Sequence, residues 1–201
     1  MLVVIDYNVG NLQSVVSAFK RIGLETVVSR DHEIIKKAKA IVLPGVGSFP
    51  TAMNNLHEFD LVKILKDRKE AGIPILGICL GMQVLFEKGY EVKETKGLAF
   101  LQGEIRYMET IEKIPHMGWN QLHIYQKHPL TKYLQEDDEV YFVHSFMANC
   151  PKEQWLAYSD YGDLDVPAIV YKDNVMGCQF HPEKSGKIGA YILEAFKEMI
   201  G

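Results

Sequence analysis

Along the first half of the chain, short apolar runs bounded by breakers alternate with stretches whose apolar residues recur at helical spacing. Leu2–Asp6 reads as a buried strand. Leu12, Val15, Val16, Phe19 and Ile22 then share one helical face, and Gly23 stands where such a helix would stop. Thr26–Ser29 predicts a second strand, Asp31 caps a helix running to Ala38, and Ala40–Leu43 predicts a third strand. That strand ends in Pro44-Gly45-Val46-Gly47. A helical stretch is expected around Leu61–Glu70, followed by Gly72 and Pro74, the strand Ile75–Ile78 and a helix over Leu80–Phe86. Strand and helix alternating through short connections imply a parallel sheet with right-handed crossovers and helices on both faces.

The pattern changes in the second half. Gly103–Met108, Gln121–Tyr125, Val140–Val143, Trp155–Tyr158, Ala168–Tyr171 and Val175–Phe180 are short strand candidates with few helices between them. They read as antiparallel additions to the same sheet, because no linker or charge run marks a boundary. An amphipathic helix over Ile188–Ile200 closes the chain. The expected fold is α/β, one domain over residues 1–201, with a mostly parallel central sheet flanked by helices.

Composition narrows the function classes. A chain of 201 residues supports one sizeable core and leaves little room for two. Its net charge of -4, without any Lys/Arg run, gives no footprint for nucleic acid or a membrane surface. The longest apolar stretches, such as Ile73–Leu80, are interrupted by Pro and Gly and too short to span a bilayer. The first residues enter a strand directly, with no basic lead-in or cleavage site, so a cytoplasmic location is expected. Cys79, Cys150 and Cys178 are spaced neither as a zinc site nor as a disulfide framework, and no metal or cofactor is expected.

Cys79 alone has the context of a nucleophile. Gly77-Ile78-Cys79-Leu80-Gly81-Met82-Gln83 follows an apolar strand and opens a helix, the setting of a nucleophile elbow. A helix N-terminus there would favour a thiolate, and the Leu80 N–H would face a developing oxyanion. The other reading is a packed cysteine whose glycines merely let helix and strand approach. Acyl transfer also needs a base and a group that orients it. Gly177-Cys178-Gln179-Phe180-His181-Pro182-Glu183 ends a strand pattern and sets His181 two residues from Glu183. A carboxylate so close can hold the imidazole tautomer and stabilise the imidazolium. His-x-Glu alone is common and carries weight only together with the elbow. His32, His57, His123 and His128 lie in polar surroundings and read as surface residues. The Pro44–Gly47 turn is either a plain tight turn or a second oxyanion donor, whose slim residues let backbone approach a substrate carbonyl. No G-K-[ST] follows it, and Val9-Gly10-Asn11 lacks dinucleotide spacing.

With these segments, the chain resembles the class I, triad-type glutamine amidotransferases over essentially its whole length. Within them it is most similar to glutaminase subunits of imidazole glycerol phosphate synthases, in histidine biosynthesis. GICLGMQ and FHPE carry the wider likeness; LPGVGSF, PHMGWN, FVHSF and QFHPEKS carry the narrower one. The resemblance implies Cys79 as nucleophile, His181 as general base and acid, and Glu183 as its orienter. It implies an oxyanion hole from Leu80 and the Gly45-Val46-Gly47 turn, which in this family is thought to need reorientation. Gly47, Gln83, His144, Ser145 and Phe146 match positions that hold L-glutamine, and Asn11, Trp119 and Lys184 match positions facing the partner. The implied partner is a (β/α)8-barrel cyclase subunit that uses the ammonia. Relatives commonly carry Tyr at Phe146 and Gly at Asn8.

Three rivals remain. A glutaminase subunit of another class I amidotransferase would not be expected to carry PHMGWN with PGVG. A cysteine peptidase on the same kind of sheet would cleave peptides and not glutamine. A non-catalytic scaffold is disfavoured because all three triad positions are filled.

Overall fold

The computed structural model describes residues 1–201. The first half runs β1 (Leu2–Ile5), α1 (Leu12–Arg21), β2 (Thr26–Ser29), α2 (His32–Lys36), β3 (Ala40–Leu43), α3 (Phe49–Glu58), α4 (Leu61–Glu70), β4 (Ile75–Ile78) and α5 (Leu80–Gln83). The second half adds β5 (Lys88–Gly89), β6 (Thr95–Lys96), β7 (Glu104–Tyr107), β8 (His116–Gln121), β9 (His123–Ile124), β10 (Glu139–His144) and β11 (Phe146–Asn149). It ends with β12 (Trp155–Tyr161), β13 (Leu164–Lys172), β14 (Val175–Cys178) and α6 (Gly186–Met199).

An eight-stranded sheet in the order β2-β1-β3-β4-β14-β13-β12-β9 forms the centre. β2, β1, β3, β4 and β14 are mutually parallel, and β13, β12 and β9 continue antiparallel. Successive residues of β1 serve opposite faces, as pleating requires. Val3 and Ile5 join the cluster packed by Phe49, Leu56 and Leu65, whereas Leu2 and Val4 join the one packed by Phe19 and Phe196. Burial on both faces explains why β1, β3 and β4 are unbroken apolar runs. Phe196 is fully buried with its ring centroid 6.5 Å from that of Phe19, so truncating it to Ala would cost about 3–5 kcal/mol.

Several features differ from the sequence expectation. α3 was not anticipated: Pro50, Asn54 and Asn55 lower its local propensity, but Ser48 caps it and Phe49, Ala52, Met53 and Leu56 bury one side. α5 is a single turn, not a helix to Phe86, because the chain tightens into Leu85 N–H to Met82 O and Phe86 N–H to Gln83 O bonds. Val175–Cys178 is not an antiparallel addition but the fifth parallel strand, paired with β4. The remaining short strands do not all join the main sheet: β8 pairs with β10 alone, and β11-β7-β5-β6 form a separate small sheet. No helix is long and apolar enough to cross a membrane.

Candidate active site

Cys79 stands at the carboxyl end of β4, where β4 turns into α5. Its backbone has φ 54° and ψ -113°, a conformation that a side-chain-bearing residue rarely adopts. Two glycines make the turn possible. A β-carbon on Gly77 would sit 2.5 Å from Gly81 O, and one on Gly81 would sit 1.8 Å from Leu43 O. The Cys79 N–H donates to Cys178 O at 2.7 Å, tying the elbow to β14. Leu80 opens α5, so its N–H has no intrahelical acceptor. Because α5 has only four residues, dipole support for a thiolate is confined to these local N–H groups, less than a longer helix would give.

His181 follows β14, and Glu183 lies in the turn after it. His181 Nδ1 is 2.7 Å from Glu183 Oε1, and both side chains are only 3% exposed. Burial pushes the imidazole pKa down, but the adjacent Cys79 side chain and the Glu183 carboxylate outweigh it and raise the value to about 9. His181 Nε2 is buried and makes no hydrogen bond. The contacts of Cys79 Sγ are Val143 O at 4.0 Å and Gln179 Nε2 at 3.9 Å. Cys79 Sγ and His181 therefore face one cavity with no hydrogen bond formed at His181 Nε2.

Val46, Gly47, Cys79, Leu80, Gln83, Glu91, Val143, His144, Ser145, Phe146 and His181 line one cavity of about 320 Å³. Every residue expected to hold substrate is among them. Gln83 is committed in part, since its Nε2 donates to Phe146 O and to Gln179 Oε1, both at 3.1 Å. His144 presents its ring but not a free nitrogen, because Nδ1 meets Phe146 O and Nε2 meets His116 Nδ1. Phe146 packs edge-on against Tyr107, with centroids 5.4 Å apart. Gly45, expected in the oxyanion turn, does not line the cavity. It lies behind, where an added β-carbon would be 2.8 Å from Gly81 N and 2.9 Å from Tyr7 Oη. The buried Tyr7 hydroxyl donates to Pro44 O and so braces that turn. Asn8 fits the position more usual for Gly by adopting φ 60°, with its Oδ1 accepting from Arg30 Nη2 at 2.8 Å.

Two contributors escaped the sequence reading. Glu91 brings the cavity's only carboxylate and also accepts from Phe49 N at 2.7 Å. It sits in a charge-rich stretch with no local motif. Gln179 is fully buried against the sulfur, and its only signal was membership of the QFHPE segment. Of the residues matched to a partner face, Trp119 is 56% exposed and Lys184 is exposed. The Trp119 ring reaches within 3.9 Å of the β-carbon position of Gly186, which puts it beside the Lys184 turn. Asn11 is exposed and caps α1, accepting from Ser14 N at 3.3 Å.

Comparison with known proteins identifies the family. The family model described as "Glutamine amidotransferase class-I" matches residues 3–199. "Imidazole glycerol phosphate synthase subunit HisH" of Lactococcus lactis is 62% identical over 99% of this chain and 98% of its own. The protein of the same name from Bacillus cereus is 50% identical, covering 100% and 95%. Among solved structures, a glutamine amidotransferase crystal structure matches with TM-score 0.75 and 22% identity, over 96% of this chain and 97% of that one. PurLQS from Thermotoga maritima matches with TM-score 0.79 and 18% identity, over 100% and 98%. These two likenesses speak for the fold.

Proposed function

The chain belongs to the class I glutamine amidotransferase family, and from that premise we propose that Cys79, His181 and Glu183 hydrolyse L-glutamine for an imidazole glycerol phosphate synthase. The enzyme class and the subunit identity rest on relatives up to 62% identical over nearly the full length. The residue roles rest on one observation, the convergence of the Cys79 elbow and the His181–Glu183 pair on a single cavity.

The Cys79 thiolate attacks the carboxamide carbon, and the carbonyl electrons move onto oxygen. The Leu80 N–H and an N–H of the Val46–Gly47 turn receive that charge. His181 gives its proton to the departing nitrogen, which leaves as ammonia, and a glutamyl thioester remains on Sγ. The neutral imidazole then takes a proton from water, the hydroxide attacks the thioester, and glutamate departs with the thiolate restored. Glu183 keeps the Nδ1 proton on the far side of the ring throughout. The Glu91 carboxylate suits the α-ammonium of the substrate.

Ammonia protonates in bulk water and loses its nucleophilicity, which favours direct delivery to a second enzyme. That partner is a (β/α)8-barrel cyclase, docking over Asn11, Trp119 and Lys184. There the ammonia enters imidazole glycerol phosphate, with an aminoimidazole carboxamide ribotide as coproduct. The chain acts as a single amidotransferase domain, residues 1–201, in the cytoplasm. In the assembled complex, Cys79→Ala should abolish glutamine-dependent synthesis while ammonia supplied at high pH still supports it. Loss of the ammonia-dependent reaction as well, in a complex that assembles normally, would overturn the supplier role.

A further inference from the structure

β8 has two unlike sides. Met117, Trp119 and Gln121 are exposed, whereas His116 is buried and Asn120 half-buried. The His116 ring stacks between Phe142, with centroids 4.4 Å apart, and Tyr161, at 4.0 Å. Its Nδ1 lies 3.0 Å from Nε2 of His144, the residue directly opposite on β10. No step of glutamine hydrolysis uses this pair.

The hydrogens of the pair can be placed from its surroundings. His144 Nδ1 is 2.8 Å from Phe146 O, and a carbonyl only accepts, so that nitrogen carries a hydrogen. In a neutral ring its Nε2 must then accept, and His116 Nδ1 must donate to it. His116 Nε2 is left as an acceptor, and Asn120 Nδ2 supplies it at 3.2 Å while donating to Asp160 O at 2.8 Å. Both rings are neutral at physiological pH, since burial pushes His144 down to about 3 and His116 down to about 4. One carbonyl therefore dictates every tautomer in the relay.

That carbonyl belongs to the cavity wall. Phe146 O also accepts from Gln83 Nε2 at 3.1 Å, and the preceding Ser145 O accepts from Met108 N at 3.0 Å. We propose that His116 is a positioning residue for the glutamine pocket, acting through His144 to hold the Phe146 carbonyl and with it the Ser145–Phe146 wall. This rests on reading the cavity as the glutamine site. A histidine that merely fills core space would need only its ring stack. A relay needs its nitrogens, and the two cases part in substitution.

His116→Phe keeps the stack and removes both hydrogen bonds. In the complex with the cyclase it should raise KM for glutamine about tenfold, the worth of one buried hydrogen bond, with kcat little changed. The 15N shift of His144 Nε2 should move as it loses the hydrogen bond from His116, while Nδ1 keeps its hydrogen. His116→Asn, whose Nδ2 sits close to the place of the imidazole Nδ1, should recover most of the KM. A wild-type KM in His116→Phe, a fall in kcat alone, or an unchanged His144 Nε2 shift would overturn the proposal. If His116→Phe does not fold, the wild-type spectrum decides, because any other tautomer at either ring at neutral pH rules the relay out. If the wild-type complex does not hydrolyse glutamine, the reading of the cavity fails, whereas the tautomer measurement still judges the relay.

Discussion

Glu183 Oε1 faces His181 Nδ1 at 2.7 Å across a single proline, while Oε2 of the same carboxylate is buried with no hydrogen-bond partner. The carboxylate thus commits one oxygen to the imidazole, and its charge works on that ring where both side chains are only 3% exposed.

Glu183→Gln removes that charge and keeps the shape. The His181 pKa should fall from about 9 towards what burial favours, measurable by NMR titration of the ring. Turnover should drop by about 10²–10⁴, the usual worth of a positioned acid–base group. The stability linkage has a definite sign. The folded value of about 9 exceeds the ordinary 6.5, so the stabilisation is complete below pH 6.5 and lost as pH rises through 9. The Tm of the wild type should therefore fall over that window, and that of Glu183→Gln should fall less. Wild-type turnover in Glu183→Gln across neutral pH would remove this residue from the mechanism.

A chloroketone analogue of glutamine should alkylate Cys79 and spare the other two thiols. Cys178 is wholly buried and its pKa is pushed far up, while burial raises Cys150 to about 11. Peptide mapping by mass spectrometry checks this, and an adduct on Cys150 or Cys178 would contradict the assignment.

Gly45→Ala tests the turn behind the oxyanion site. Its β-carbon would lie 2.9 Å from Leu80 Cβ and 2.8 Å from Gly81 N, so the turn or the elbow must shift. Misplacing one oxyanion donor should lower kcat by about 10²–10³. Gly47→Ala meets no atom within 4 Å, but its φ of +109° strains the backbone, so stability should fall as well. Comparing kcat and Tm of the two variants separates donor geometry from strain.

Trp119→Ala should weaken cyclase binding by about 2 kcal/mol, as removal of an exposed aromatic anchor does. Because the ring is 56% exposed, Tm of the free chain should barely change. Calorimetric titration with the cyclase gives the first value and thermal melting the second.

How far the sequence could be read followed burial. β1, β3 and β4 are covered on both faces, so they appear as uninterrupted apolar runs with recognisable ends. Strands as short as Lys88–Gly89 and Thr95–Lys96 exist only through their neighbours and leave no periodic trace. α3 was hidden for the opposite reason: Pro50, Asn54 and Asn55 break up its pattern, and the core it buries holds it. At the site, Cys79 stood out because an elbow needs glycines at fixed offsets, and His181 with Glu183 because they lie two residues apart. Glu91 could not stand out, and His116 appeared only as part of PHMGWN, with no sign of its role. Their importance comes from folding, which brings a loop to Phe49 and sets β8 against β10.

The backbone at Cys79 has an evolutionary consequence. At φ 54° and ψ -113° a β-carbon costs about 1–3 kcal/mol, which glycine would avoid. Lineages that stopped needing the reaction would gain stability by losing the sulfur, so selection for thermostability alone pushes this position away from cysteine. On the role proposed for Cys79, directed evolution of this scaffold that screens only for heat resistance should lose the sulfur before it loses the fold.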